Sequence, residues 1–150
     1  MQKISYVIPC YRSQHTVGGV VAEIAATMQT LPQYDYEVIL VNDCSPDDTF
    51  GTIRSLVAAD SHVVGVDLAK NFGQHAALMA GFHKCSGDIV VCLDDDGQTP
   101  ADEVGKLLAK IDEAMTSSTP AMTRSVRPAG ATWAAGSTGK MPRYLASNLV

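Results

Sequence analysis

Four short runs of apolar residues, rich in valine and isoleucine, set the strongest limits on what this chain can fold into. They are ISYVIP (4–9), YEVILV (36–41), HVVGVDL (62–68) and DIVVCLD (88–94). Their apolar residues are nearly continuous and hardly alternate with polar ones, as is typical of strands buried on both faces of a parallel sheet. The runs therefore predict four strands in the middle layer of an α/β protein.

Stretches with helical spacing of apolar residues separate these runs and follow the last one. They predict helices over 17–30, 48–59, 74–85 and 101–113. The second begins after Ser-Pro-Asp-Asp, in which Asp47 and Asp48 are expected to supply the cap. A β-α-β-α-β-α-β-α order with connections of this length favours right-handed crossovers. We expect a mostly parallel sheet with helices on both faces.

Length and charge narrow the class of protein. A chain of 150 residues, 46% of them hydrophobic, is enough for one domain with a real core. No run approaches the roughly 18 uncharged apolar residues of a spanning helix, and the N-terminus lacks a signal-peptide pattern. We therefore expect a cytoplasmic chain without a membrane span.

All 16 acidic residues lie within 1–113, which argues against nucleic acid as a partner. The four cysteines form no C-x-x-C pair and are expected to be buried free thiols.

Three adjacent aspartates, Asp94 to Asp96, directly follow the fourth apolar run. Ligands of α/β sheets bind at the carboxyl ends of the strands, and carboxylate oxygens are the ligands that Mg²⁺ and Mn²⁺ prefer. A metal or phosphate site is one interpretation, and an acidic approach to the next helix is the other. On an extended segment, Asp94 and Asp96 would share one face and Asp95 would point to the opposite one.

Polar and aromatic side chains follow the other strands at the same edge of the sheet. Tyr11, after the first strand, could stack on a nucleobase or pack on the first helix. Asp43, after the second, is free for an N–H of a ligand if the next acidic residues cap the helix; an Asx turn is the alternative. Gln74 and His75 begin the third helix, whose positive end suits an anion, although a polar first turn accounts for His75 alone. Lys70 could face phosphate or simply be solvated.

Several signatures of nucleotide-binding proteins and hydrolases are absent from the sequence. There is no G-x-G-x-x-G after the first strand, no P-loop and no G-x-S-x-G, so dinucleotide-binding, P-loop and serine hydrolase folds are disfavoured. The string DDDGQT (94–99) partly matches the D-x-D-G-T motif of haloacid-dehalogenase-type phosphatases, but Gln98 stands where the threonine belongs. That phosphatase remains an alternative at this point.

Four segments, in this order, resemble family 2 glycosyltransferases of GT-A fold: VIPCYRSQHTV, VILVNDCSPDDT, LAKNFGQHAALMAGF and GDIVVCLDDDGQTPADEV. The specific parts are NFGQH-x-A-x-x-AGF and D-x-D-x-Q-x-P, and the likeness covers 3–113. It is strongest to the branch that transfers a sugar from a nucleotide sugar to a polyprenyl phosphate, such as the undecaprenyl-phosphate and dolichol-phosphate transferases.

The resemblance implies a role for each matching residue. As the catalytic pair, Asp94 would lie near the ribose and the sugar, and Asp96 would hold the Mg²⁺ or Mn²⁺ that bridges the diphosphate, with Gln98 beside the metal. Asp43 would accept a hydrogen bond from the base. The other donor-pocket residues that the resemblance implies are Pro9, Tyr11, Lys70, Asn71, Gln74 and His75. It also implies a UDP-sugar donor, with a GDP-sugar as the alternative, and a lipid phosphate acceptor at the inner face of the cell membrane, in a role at the cell envelope.

The chain departs from the family near the site and towards its end. Asn42 stands where relatives often carry aspartate, and Arg12 follows Tyr11 where acidic residues often come next. Residues 114–150 contain four basic residues, no acidic one and no regular period, and the likeness ends before them, after the fourth β-α unit. We expect 1–113 to be the nucleotide-sugar-binding unit and 114–150 to be poorly ordered, with a frameshift as our hypothesis for its origin. A truncated, inactive transferase and a binding module without turnover are both open.

Overall fold

The computed structural model describes residues 1–96, Leu108 and 143–146. The described strands are β1 (Gln2–Cys10), β2 (Tyr34–Asn42), β3 (Val63–Asp67), β4 (Ile89–Cys92) and β5 (Arg143–Ala146). The described helices are α1 (Val17–Gln29), α2 (Thr49–Ala59) and α3 (Gln74–Phe82). The strands form one sheet in the order β3-β2-β1-β4-β5, and every neighbouring pair is parallel. The predicted α/β architecture is confirmed.

The central strand β1 is buried from Ile4 to Cys10. On one face of the sheet its side chains join a core that includes residues of α1 and α2, among them Ile24 and Ile53. On the other face Val7 packs in a second cluster with Ala77 of α3. Helices therefore cover both faces of the sheet, which explains why β1, β2 and β4 read as continuous apolar runs.

Strand β3 differs from the prediction of burial on both faces. Val63 is buried, but Val64 is 36% exposed, and Gly65 and Asp67 are exposed as well. The strand pairs with β2 along one side, and among the described strands none pairs with its other side. Its position at an edge, which a run of valines does not reveal, sets this exposure.

The predicted helices agree with α1, α2 and α3 apart from their ends. Helix α3 ends at Phe82, three residues before the predicted end. The predicted helix 101–113 lies outside the described residues except for Leu108, which is helical and buried.

The carboxylate of Asp47 accepts hydrogen bonds from the N–H (3.3 Å) and the hydroxyl (2.6 Å) of Thr49. Asp48 makes no such cap with its side chain, so only one of the two expected caps is present.

The segment 114–150 contains a strand that the sequence did not predict. Strand β5 (Arg143–Ala146) pairs with β4 and extends the sheet beyond the four predicted strands. Parallel pairing to a buried strand supplies backbone hydrogen bonds that do not depend on a recognisable side-chain pattern. The rest of the predicted tail lies outside the described residues, and its order and origin stay predictions.

The four cysteines are all free thiols, as predicted. Cys10 is buried, Cys85 and Cys92 are half-buried, and Cys44 is exposed, so the prediction of four buried thiols was wrong. Cys44 follows β2 with a φ of 51°, in the left-handed region of backbone conformation.

None of the described helices is long and apolar enough to cross a bilayer.

A buried carboxylate links strands at the end of the sheet opposite the three aspartates. Glu37 is 7% exposed and accepts hydrogen bonds from the hydroxyl of Ser5 (2.6 Å) and from the N–H (2.6 Å) and hydroxyl (2.7 Å) of Ser86. Its Oε2 lies 2.8 Å from Nζ of Lys3. Burial raises the pKa of Glu37, but Lys3 and the hydrogen bonds together outweigh burial and hold the pKa below its usual value.

We expect Glu37→Gln to lower the free energy of unfolding at neutral pH by about 1–3 kcal/mol, because it removes the charged acceptor of these contacts. The folded-state pKa is below the unfolded one, so the contribution of Glu37 is complete above the unfolded pKa and is lost as the pH falls through the folded pKa. Urea unfolding of both proteins in steps from about pH 7 to about pH 2 measures this. The difference between them should shrink towards acid pH; a constant difference would contradict the assignment.

Candidate functional site

A cleft of about 350 Å³ opens at the carboxyl ends of β1, β2 and β4. Residues at or just after the ends of these strands and residues at or just before the beginning of α3 line it: Pro9, Cys10, Tyr11, Asp43, Asn71, Gly73, Gln74 and Asp95. Five of the residues that the sequence singled out are in this group, namely Pro9, Tyr11, Asp43, Asn71 and Gln74. Parallel strands bring their carboxyl ends to one edge of the sheet, and this is why residues far apart in sequence meet here.

The β1 side of the cleft presents an aromatic ring and a cation. Tyr11 is 45% exposed, which leaves part of its ring accessible to a ligand. The guanidinium carbon of Arg12 lies 5.5 Å from the centre of the Tyr11 ring, within the range of a cation–π contact. Arg12 has a φ of 57°, and its N–H donates to Oγ of Ser45 at 3.1 Å. An exposed tyrosine in this position can stack on a planar ligand.

Asp43, at the end of β2, is 4% exposed and binds the backbone of another loop. Its Oδ1 accepts the N–H of Phe72 at 2.8 Å, and its Oδ2 accepts the N–H of Gly73 at 2.9 Å. The carboxylate therefore already has two backbone partners, and the expected contact with an N–H of a ligand stays a prediction. Each carboxylate oxygen has a further lone pair, so a contact to a ligand in the cleft is still compatible with this geometry.

The three aspartates are not arranged as the alternating-face prediction requires. Strand β4 ends at Cys92, and residues 95 and 96 lie in a turn, so the regular strand on which the prediction depended does not extend over the three aspartates. Asp95 lines the cleft and accepts hydrogen bonds from the N–H of Tyr11 (3.4 Å) and from the hydroxyl of Ser13. The carboxylate that was expected to point away thus connects β4 to the loop after β1.

The beginning of α3 contributes an amide group to the same edge. Nε2 of Gln74 donates to Oδ1 of Asp94 at 3.1 Å. His75 is exposed and does not line the cleft among the described residues, nor does Lys70, whose Nζ lies 4.9 Å from the centre of the Phe72 ring. The predicted positions of Asn71 and Gln74 at the cleft are therefore observed, whereas those of Lys70 and His75 are not.

The carboxylates could hold a divalent cation only with help from a ligand. Within residues 1–96, no group of three or more His, Cys, Asp or Glu side chains forms a complete cage for a metal. Mg²⁺ often binds through one or two carboxylates together with the phosphates of a substrate and water. Asp94 and Asp96, the two neighbours in sequence of the cleft residue Asp95, are carboxylates of the type that this second arrangement uses. Gln98, the third residue predicted near a metal, lies outside the described residues.

Sequence reasoning did not find three of the lining residues: Cys10, Gly73 and Asp95. Gly73 carries a recoverable signal, since a glycine before a helix often marks a special backbone conformation. Asp95 carries none, because its orientation depends on where β4 ends. For Cys10, burial and then the charge of Asp95 raise the pKa of the thiol to about 12, so it stays protonated at neutral pH and is not a nucleophile.

The comparison with known families agrees with the fold and the cleft. A sequence model described as "Glycosyl transferase family 2" matches residues 5–144, and the chain belongs to this family. The phosphatase alternative thereby loses its support.

Similar curated proteins share one name. An undecaprenyl-phosphate 4-deoxy-4-formamido-L-arabinose transferase of Klebsiella pneumoniae subsp. pneumoniae is 40% identical over 114 residues, which are 75% of this chain and 35% of that protein. A transferase of the same name from Salmonella paratyphi A is 38% identical with the same coverage. The chain spans about a third of the length of these relatives.

Solved structures with a similar fold are GT-A glycosyltransferases. Residues 1–349 of TarS from S. aureus match with a TM-score of 0.58 and 22% identity, over 75% of this chain and 33% of that one. The mannosyltransferase PcManGT from Pyrobaculum calidifontis, solved with GDP-Man and Mn²⁺, matches with a TM-score of 0.57 and 21% identity, over 63% of this chain and 28% of that one. At these identities the likeness shows the fold alone.

Proposed function

We propose that this chain is the donor-binding part of a glycosyltransferase that uses a nucleotide-diphosphate sugar and a divalent metal and passes the sugar to a polyprenyl phosphate. The observation that carries the proposal is the cleft at the carboxyl ends of the parallel strands, where an exposed tyrosine, the buried carboxylate of Asp43, the half-buried carboxylate of Asp95 and a helix N-terminus meet. The family membership and the acceptor in the names of the similar transferases support the reaction class.

In this proposal the β1 and β2 side of the cleft binds the nucleoside. The ring of Tyr11 stacks on the base beside Pro9, and Asp43 uses a remaining lone pair of its carboxylate for an N–H of the base. A UDP-sugar is our first choice of donor and a GDP-sugar the second. Similar folds have been solved with either nucleotide, TarS with UDP and PcManGT with GDP-Man.

The diphosphate and the metal belong to the β4 side in this proposal. Asp94 and Asp96, with Gln98, would hold Mg²⁺ or Mn²⁺, and the ion would supply positive charge against the charge that develops on the leaving nucleoside diphosphate. Gln74 holds Asp94 by a hydrogen bond and so orients one of these carboxylates. Asn71 lines the cleft just before α3, where the N–H groups of the helix N-terminus favour an anion. Lys70 and His75, which the resemblance also assigns to the donor pocket, do not line the cleft in this structure.

The acceptor in this proposal is a lipid phosphate, and the protein works at the inner face of the cell membrane. A phosphate is already anionic at neutral pH, so the attacking oxygen needs no strong general base. This fits a cleft whose lining thiol, Cys10, is buried and held protonated. The catalytic contribution then comes from positioning the donor and stabilising the leaving group.

Transfer of a labelled sugar from UDP-sugars or GDP-sugars to undecaprenyl phosphate, with Mn²⁺ present, tests the proposal. Labelled lipid should form with the wild-type chain and fall at least about a hundredfold in Asp94→Asn/Asp96→Asn, because the metal-binding charge is lost. Asp35→Asn, at the beginning of β2 and at the opposite end of the sheet, is the control. Donor binding without any labelled lipid would reduce the chain to a binding module, and no binding of either donor would overturn the proposal.

A further inference from the structure

We propose that Asp43 is a positioning residue that locks the loop Asn71–Gly73 and, through it, the first turn of α3 at the cleft. The inference rests on the proposed function because it assumes that the cleft binds a nucleotide. It assigns Asp43 a second role besides its contact with the base. The lock itself is a property of the free protein and can be measured without a ligand.

Asp43 connects three segments by hydrogen bonds: the end of β2, the end of β1 and the loop before α3. Its own N–H donates to the carbonyl oxygen of Cys10 at 3.0 Å, which ties the end of β2 to the end of β1. Its two carboxylate oxygens accept the consecutive N–H groups of Phe72 and Gly73 at 2.8 and 2.9 Å. The carboxylate is 4% exposed, so water does not easily replace it as the partner of these two groups.

The loop that Asp43 holds adopts a backbone conformation that requires glycine at position 73. Gly73 has φ 92° and ψ 161°, a region that only glycine occupies without strain. A Cβ built on Gly73 would meet nothing within 4 Å, so the backbone angles alone, and not a lack of space, require glycine there. Oδ1 of Asn71 also accepts the N–H of Gly73, at 3.2 Å.

The locked loop determines where several cleft residues lie. Asn71 and Gly73 line the cleft directly, and Gln74 follows as the first residue of α3. Gln74 in turn donates to Asp94 at 3.1 Å. A chain of contacts therefore runs from the end of β2 through the loop to the carboxylate after β4. Asp43 can influence the metal side of the cleft without touching the metal or the diphosphate.

A role in base binding alone and a role as a lock make different predictions for two substitutions. Asp43→Asn keeps an oxygen that can accept an N–H from a base, but its NH₂ group is a donor, so the observed pairing of one acceptor oxygen with each backbone N–H is lost. Gly73→Ala leaves Asp43 and its lone pairs intact but strains the loop. If Asp43 acts through the loop, both substitutions damage the same structure and weaken nucleotide binding in the same way.

Hydrogen exchange by NMR on the free, full chain tests the lock. In Asp43→Asn we expect the amides of Phe72 and Gly73 to exchange about tenfold or more faster than in the wild type, because each loses a charged acceptor. Asp60→Asn is the matched control, since Asp60 accepts a single backbone N–H, that of His62, at 2.9 Å. It should affect the amide of His62 and leave Phe72 and Gly73 unchanged. Unchanged exchange at Phe72 and Gly73 in Asp43→Asn would overturn the proposal.

Titration with UDP and GDP in the presence of Mn²⁺ then tests the consequence for the cleft. We expect Asp43→Asn and Gly73→Ala each to raise the dissociation constant about tenfold, and the double variant to be no weaker than the worse single one, because both act on one loop. Full additivity, or wild-type affinity in Gly73→Ala, would contradict the lock. A wild-type chain that binds neither nucleotide while its amides show the lock would instead refute the proposed function.

Discussion

Asp95→Ala is expected to weaken nucleotide binding by about ten- to a hundredfold, both with and without metal. The carboxylate of Asp95 accepts hydrogen bonds from the N–H of Tyr11 and the hydroxyl of Ser13, and Ser13 is 1% exposed. Without Asp95 these donors lose their acceptor, and the loop that carries the Tyr11 ring is no longer held against the end of β4. The loss therefore affects the base side of the cleft.

Asp96→Ala is the matched comparison for Asp95→Ala. Asp96 is exposed, and in the proposed function it holds the metal, so its removal should abolish only the part of the affinity that Mn²⁺ adds. Titration of each variant with UDP and GDP, with and without Mn²⁺, separates the two effects. Wild-type affinity of Asp95→Ala in the absence of metal would contradict its assignment to the β1 loop.

Gly81→Ala should destabilise the fold by about 1–3 kcal/mol, the usual effect of overpacking a close-packed core. A Cβ on Gly81 would lie 2.4 Å from Cγ1 of Val7 and 3.2 Å from Cγ2 of Val41. Both valines are fully buried in the sheet, and their branched side chains have little freedom to move. Glycine at this position is what lets α3 pack closely on β1 and β2 and hold its N-terminus at the cleft.

Gly19→Ala is the control for this prediction. Gly19 is also helical, in α1, but a Cβ there would meet nothing within 4 Å. We expect this substitution to stabilise the protein by about 0.5–1 kcal/mol, because alanine is the better helix former. Urea unfolding of both variants gives the comparison. A stabilising effect of Gly81→Ala would show that α3 does not pack on the sheet as described.

The sequence predicts most of the fold because its signals are local. The Val- and Ile-rich runs gave the positions of β1 to β4, and helical periodicity gave α1 to α3 within a few residues. Strand order and edges depend on contacts between distant segments, so the exposure of Val64 at the edge strand could not be predicted. The pairing of β5 with β4 could not be predicted for the same reason, because residues 143–146 show no strand pattern of their own.

The candidate site was predictable in its residue types but not in its contacts. Tyr11 and Asp43 follow strands whose carboxyl ends must meet in a parallel sheet, and both line the cleft. The orientation of Asp95 depends on the end of β4 at Cys92, and the partners of Asp43 depend on the path of a loop 29 residues away in sequence. Neither feature is encoded in a local pattern.

Calorimetric titration of the purified chain with UDP and with GDP, in the presence and absence of Mn²⁺, tests the central claim most directly. We expect one of the two nucleotides to bind, more tightly with Mn²⁺ than without it, because the cleft joins an aromatic side for the base to a carboxylate side for the metal and diphosphate. Circular dichroism on the same sample establishes that the chain is folded. A folded chain that binds neither nucleotide under either condition would contradict the assignment of this cleft as a donor site.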